Sequence, residues 1–211
     1  MSHVNRLSED RTFLTSLLAA CGAGRGGRVL DLGCGDGSLV DLLNDLGYDA
    51  AGLSDMAEAD EDRGIHRGVL ANSVPFAAGE ADVAIVRDID AYAEDLDGLE
   101  TLISSANLLS CLRPLGRVVF LREESVAPMG SGQTARQAEL ETHFERFPCR
   151  VQTMSRGEGL GRFFSPAFLL GRRPRAGASV VTVQVPKKPV SRLEWHGYAR
   201  EAAMSGMRAA A

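Results

Sequence analysis

Two carboxylates flank a run of closely spaced glycines in Val29-Leu30-Asp31-Leu32-Gly33-Cys34-Gly35-Asp36-Gly37-Ser38. Glycine at every second position marks main chain that takes positive φ or lies bare against a ligand. Asp31 and Asp36 set the charge of that ligand. Like charges about 4 Å apart near a protein surface repel by roughly 4 kcal/mol, so the bend suits a cation and resists a pyrophosphate. A dinucleotide fingerprint would also need a third glycine at position 38, where the chain has Ser38. The other groups able to do chemistry are scattered. Cys21, Cys34, Cys111 and Cys149 form no C-x-x-C pair, which argues against structural zinc and a disulfide framework and fits a reducing compartment. The sequence offers no metal cluster. His66 and His143 stand alone and read first as packing or surface residues.

Strands and helices must hold this bend in place, and they alternate along the chain. Val29-Leu30 closes a buried strand, and the run Leu39–Leu46 is helix-compatible up to Gly47. Tyr48–Leu53 reads as a second parallel strand. Between Asp55 and Gly64 there is room for about two helical turns, short for a crossover helix, and its charges read as a solvated face. Ile65–Leu70 is the third strand. Asp82–Val86 is nearly continuous apolar sequence, as expected of a central strand covered on both faces. Leu99, Leu102, Ile103, Ala106, Leu109 and Leu112 mark an amphipathic helix closed by Pro114 and Gly116, before a fifth strand at Arg117–Leu121. Upstream, Ser8-Glu9-Asp10 caps a helix with Phe13, Leu14, Leu17, Leu18 and Cys21 on one face. Downstream, Arg122–Gln133 reads as a loop over the active face, followed by a helix from about Thr134 to Phe147.

The stretch Val29–Gly37 resembles motif I of class I S-adenosylmethionine-dependent methyltransferases. Val74-Pro75-Phe76 through Val83-Ala84-Ile85-Val86 is similar to that family's "LPF…FDvV" stretch, and Cys111-Leu112-Arg113-Pro114-Leu115-Gly116-Arg117 to its "LkPGGrlv" turn. The resemblance covers residues 28–121 firmly and 135–175 loosely. It implies an α/β fold: a doubly wound, mostly parallel sheet, helices on both faces, and a closing antiparallel hairpin. Arg150–Met154 and Ala167–Gly171 resemble that hairpin.

The same resemblance implies S-adenosyl-L-methionine as cofactor, with S-adenosyl-L-homocysteine as product, and it implies site residues. Asp31 would orient the methionine ammonium, and Gly33, Cys34 and Gly35 would let main chain run along the cofactor. The family's ribose-binding acid falls at Ser54 here, with Asp55 one place later. Leu70, Ala71 and Asn72 would line the adenine, Leu70 standing where an acid is common. Arg87 and Asp88 would border the methionine end and the substrate mouth. Leu115 replaces a family glycine and is strained if positive φ is needed there. In relatives the leading helix often lids the cofactor; packing on the sheet edge is the other reading. No catalytic residue is assigned. Asp88, Tyr92, His66 and His143 are the candidates if the acceptor must lose a proton.

A chain of 211 residues can bury a sizeable core as one domain. Without an apolar run of about 18 residues no membrane span is expected. Met1-Ser2-His3-Val4-Asn5 lacks an apolar signal core, so the expected location is the cytoplasm. Residues 1–111 hold 20 acids and 7 bases, while residues 112–211 hold 8 acids and 16 bases. The halves can pack together, pair across a homodimer, or present a basic face to an anionic substrate. The basic half lacks interleaved aromatic clusters, which argues against nucleic acid. The expected division is a methyltransferase-like domain at 1–175 with its leading helix, and a C-terminal extension at 176–211. The extension contains a strand-like Val180–Val185, a Pro-flanked linker and a short helix near Arg192, with Trp195, His196 and Tyr198. Docking onto a protein partner, a second copy or the substrate mouth all remain open for it. Two functions are carried forward: methyl transfer to a small-molecule acceptor, and alternatively a catalytically inactive scaffold or binding subunit with this fold.

Overall fold

The computed structural model describes residues 11–56, 58–87, 89, 92, 95–121, 131–155 and 179–209. The chain enters through helix α1 (Arg11–Ala20), then runs β1 (Arg28–Leu32), α2 (Ser38–Asp45), β2 (Asp49–Ser54), β3 (Ile65–Arg67) and β4 (Ala81–Val86). It continues through α3 (Leu99–Cys111), β5 (Leu112–Phe120), α4 (Ser131–Phe144), β6 (Arg150–Ser155), β7 (Ser179–Gln184) and α5 (Arg192–Ala209). Seven strands make one sheet in the order β3-β2-β1-β4-β5-β7-β6. The pairs from β3 to β5 are parallel, and β7 runs antiparallel to both β5 and β6. Helices cover both faces, as the resemblance implies. No helix among the described residues is long and apolar enough to cross a membrane.

Alternation along the strands divides the core in two. Leu30, Leu32, Ala84, Val86, Val118 and Phe120 join one buried cluster with Leu102 and Ala106 of α3, Phe144 of α4 and Trp195 of α5. Val29, Val83, Ile85 and Val119 join the other with Phe13, Leu14, Leu17 and Leu18 of α1 and Leu39, Val40 and Leu43 of α2. Side chains on a strand point to opposite faces in turn, so both faces need cover, and that is why the middle of β4, Val83–Val86, is wholly apolar. The apolar stripe of α1 is thus buried in the cluster that contains the central strands. Its expected cap, residues 8–10, lies outside the described residues.

Three expectations change. The strand at 179–184 is no addition to the fold: it occupies the sheet position between β5 and β6, pairing from Arg117↔Gln184 to Phe120↔Val181. The expected hairpin partner, residues 167–171, lies outside the described residues. The helix after Pro189 is long, Arg192–Ala209, and is opened by a capping box. Ser191 N–H and Oγ both donate to Glu194 Oε2 at 2.7 Å, a pattern that Ser-x-x-Glu announces in the sequence. Trp195 and Ala199 are buried in the chain's own core, so the tail's aromatic anchor is already in use within this molecule.

Among its described residues, the crossover from β2 to β3 contains a single 3-10 turn, Glu61–Arg63, capped by the Asp60 carboxylate accepting from Arg63 N–H. β3 stops at Arg67, so residues 68–70 are already loop. In β5, residues 113–116 form an excursion between Ala81↔Leu112 and Val83↔Arg117. Leu115 sits there with φ 66°, a left-handed conformation that costs an L residue about 1–2 kcal/mol. The strain anticipated from the missing glycine is present.

Candidate active site

The chain leaves β1 outward to β2 and β3, then returns to lay β4 on the other side of β1. Ligands of open α/β sheets collect at such a reversal, beyond the carboxyl ends of the strands. Register fixes what meets there: Leu32 lies beside Val86, and Arg87 N–H donates to Leu32 O at 2.9 Å. Asp31 and Arg87 share a sheet face because each is an even number of residues from its strand's other members of that face. Arg87 grips Asp31 with two parallel bonds, Nε to Oδ1 at 3.0 Å and Nη2 to Oδ2 at 2.7 Å. The carboxylate is 0% exposed and the guanidinium side chain 13%. Burial pushes the Asp31 carboxyl above its ordinary range, and the Arg87 charge pulls against that shift.

The glycine bend does two different things. Gly33 (φ 85°) turns under the Arg87 carbonyl, whose oxygen would lie 1.9 Å from a Cβ at that position. Its need for glycine is internal. Gly35 (φ 55°) faces open space: a Cβ there would meet nothing within 4 Å. Next to it opens a cleft of about 850 Å³ lined by Gly35, Asp36, Met56, Asp60, Arg63 and Ile65, among others. Asp36 stands on its rim, and the Ser38 main-chain N–H and hydroxyl hold its carboxyl below the usual range. Arg63 ties the crossover to the bend: it donates to both Asp41 oxygens, at 3.1 and 2.5 Å, and to Asp36 O at 3.2 Å. Sequence reading had left Arg63 on a solvated face. Its pairing depends on how closely the short crossover folds back.

Cys34 does not face the cleft. It is buried with Sγ over Gly52 of β2, and burial pushes the thiol up to about 11. Ser54 is buried too, its Oγ accepting from Met56 N–H at 3.2 Å, while Asp55 is exposed at the strand end. Leu70 is a core residue, Ala71 is half-buried and Asn72 exposed. The carbonyls of Leu70 and Asn72 both accept from Asn107 Nδ2 of α3, at 2.8 and 3.3 Å. Asn107 Oδ1 in turn accepts from His196 Nε2 of α5 at 3.1 Å. Sequence reading missed Asn107 and His196. The available signal was an Asn amid the apolar run Ala106-Asn107-Leu108-Leu109, which must find partners once buried.

Two of the candidate bases are joined away from the cleft. His143 Nδ1 donates to Leu96 O at 2.6 Å, which leaves Nε2 to accept from Ser105 Oγ at 2.7 Å. Tyr92 OH lies 3.0 Å from the same Ser105 oxygen, and burial raises its hydroxyl well above the usual range. His66 is half-buried on β3, edge-on to Phe76 at 5.5 Å. Asp88 lies outside the described residues, as do Arg156 and the 162–164 segment.

A family profile described as a methyltransferase domain matches residues 6–183. No curated protein matches the sequence. Among solved structures, that of the Haloferax volcanii Trm112 methyltransferase activator with its methyltransferase is similar at 19% identity, covering 85% of this chain and 92% of that one, TM-score 0.52. A TehB-like S-adenosylmethionine-dependent methyltransferase from Corynebacterium glutamicum aligns at 21% identity over 82% of this chain and 87% of its own, TM-score 0.50. A structure concerned with converting a disulfide bond into a thioacetal group in echinomycin biosynthesis aligns at 14% identity over 92% and 94%, TM-score 0.53. Identities this low establish a common fold.

Proposed function

The chain belongs to the methyltransferase domain family, and from that premise we propose that it methylates a small-molecule acceptor in the cleft beside Gly35. It is an S-adenosyl-L-methionine-dependent methyltransferase. The observation that carries the finer reading is the bare main chain at Gly35, turned to open space beside the cleft. Side-chain-free backbone at the carboxyl end of β1 fits a flat nucleoside lying against it. Exposed Asp55 can accept both ribose hydroxyls, and the loop 70–72, pinned by Asn107, can border the base. Gly33, Cys34, Ser54 and Leu70 support those surfaces from beneath. Asp31 is the partner for the ammonium at the amino-acid end.

The cofactor brings a methyl group already activated by its sulfonium, so the protein's own task is placement. Holding two reactants in attack geometry can supply about 7–11 kcal/mol. Asp36 keeps the cleft anionic across the neutral range. Cys34, neutral and turned towards β2, takes no covalent part. Tyr92 and His143 hold each other through Ser105 and so brace the end of α4, which leaves the acceptor's own acidity, His66 or Asp88 to dispose of any proton.

Calorimetric titration with S-adenosyl-L-homocysteine tests the reading. Micromolar binding is expected, and a flat trace at millimolar ligand refutes it. One observation favours the alternative of an inactive binding subunit: Asp31 is sealed by Arg87 rather than open to an ammonium. Mass spectrometry of ligand released from the purified protein separates the two, since a binding subunit with a closed cleft releases none.

A further inference from the structure

Asp31 has both oxygens bonded to Arg87 and no exposed surface. An incoming ammonium therefore meets a guanidinium where it needs a carboxylate. Arg87 is held by the sheet: its N–H is bonded to Leu32, and its carbonyl is wedged against Gly33. Asp36, exposed on the rim of the cleft, adds its negative charge to the field at Asp31.

Resting on the functional reading above, we propose that Arg87 is a latch that determines ligand specificity. Its guanidinium closes the amino-acid end of the cofactor cleft on Asp31, and an α-ammonium group must displace it to bind. The nucleoside end needs no such displacement, because Gly35 and the cleft are open. The chain should consequently discriminate poorly between ligands that carry the amino-acid end and ligands that lack it. An unlatched site would discriminate strongly, because a desolvated carboxylate without a partner binds a cation far better than a paired one does. Arg87 is thus a positioning residue for Asp31 and sets how much of the cofactor contributes to affinity.

Two ligands separate the ends. S-adenosyl-L-homocysteine carries nucleoside, sulfur and amino acid; 5′-methylthioadenosine carries the nucleoside and sulfur without the amino acid. Calorimetry at pH 8 on the full chain and on Arg87→Met gives the ratio of their affinities. The latch predicts that Arg87→Met raises that ratio in favour of S-adenosyl-L-homocysteine on the order of a hundredfold, with methylthioadenosine affinity unchanged. Arg87→Met also strands a buried carboxylate, so its melting temperature should fall and recover more with S-adenosyl-L-homocysteine than the unaltered protein's rises. Should Arg87→Met not fold, Arg87→Lys decides: a lysine cannot reproduce the two-pronged grip, so the ratio rises by a smaller factor, about tenfold. An unchanged ratio overturns the latch. A falling ratio overturns it as well, and would mean that Arg87 reads the ligand's carboxylate. Binding of both ligands with a ratio that no substitution alters leaves the functional reading standing without the latch. Binding of neither ligand by any variant overturns both.

Discussion

Gly33 and Gly35 are two residues apart, both at positive φ, and alanine should harm mainly stability at the first and mainly ligand binding at the second. An alanine at either position suffers the left-handed penalty of about 1–2 kcal/mol, offset by about 0.4–1 kcal/mol from a less flexible unfolded chain. At Gly35 that is the whole effect, since the new Cβ meets nothing within 4 Å. A net loss near 0.5–1 kcal/mol should lower the melting temperature by about 1–4 °C. At Gly33 the Cβ would sit 1.9 Å from Arg87 O. That carbonyl cannot withdraw without parting β1 from β4, because Arg87 N–H is bonded to Leu32 O at 2.9 Å. The overlap adds roughly 1–3 kcal/mol, as in an overpacked core, and takes Gly33→Ala to a loss of about 1.5–4 kcal/mol. Urea denaturation followed by circular dichroism gives the stabilities, and calorimetry with S-adenosyl-L-homocysteine gives the affinities. Gly35→Ala should fold and bind at least tenfold more weakly, because its methyl group fills the surface where the nucleoside lies. Unimpaired binding by a folded Gly35→Ala would show that the ligand does not lie there. Equal stabilities for the two variants would show that the Arg87 contact does not constrain the bend.

Leu115→Gly should stabilise the protein by about 0.5 kcal/mol, the left-handed penalty exceeding glycine's added unfolded-state freedom; a lower urea midpoint would contradict this. Burial pushes Cys21, Cys34 and Cys111 to about 11 and Cys149 to about 12, so all four thiols should be silent to an aromatic disulfide reagent at pH 8 in the native protein and react once it is unfolded. Because these folded values exceed the unfolded thiol value of about 8.5, their contribution to stability is complete below that pH and is lost as pH climbs towards 11; native labelling at pH 8 would refute the burial.

Much of the site could be read from the sequence because its parts are local. A bend that needs positive φ at alternate positions favours glycine strongly, so Gly33 and Gly35 announced the turn. Asp36 and Ser38, two residues apart, form their own bond. The strained Leu115 was visible as a side chain where the turn needs none. The missed features all join distant residues. Arg87 was placed at the site's border, yet its hold on Asp31, 56 residues away, depends on β4 lying beside β1. Asn107 reaches loop 70–72 only because α3 packs over it, and His196 reaches Asn107 only because α5 packs on α3.

The sequence by itself determined the strand–bend–helix unit, the alternation of buried strands with amphipathic helices, and the anionic character of the glycine bend. Each follows from backbone sterics or from a hydrophobic period within a few residues. Tertiary structure alone decided that the strand at 179–184 inserts between β5 and β6, that the tail's Trp195 is part of the core, and that Asp31 belongs to Arg87. Those outcomes are set by strand order, and strand order is a competition among distant segments for the same sheet positions, which no local preference encodes.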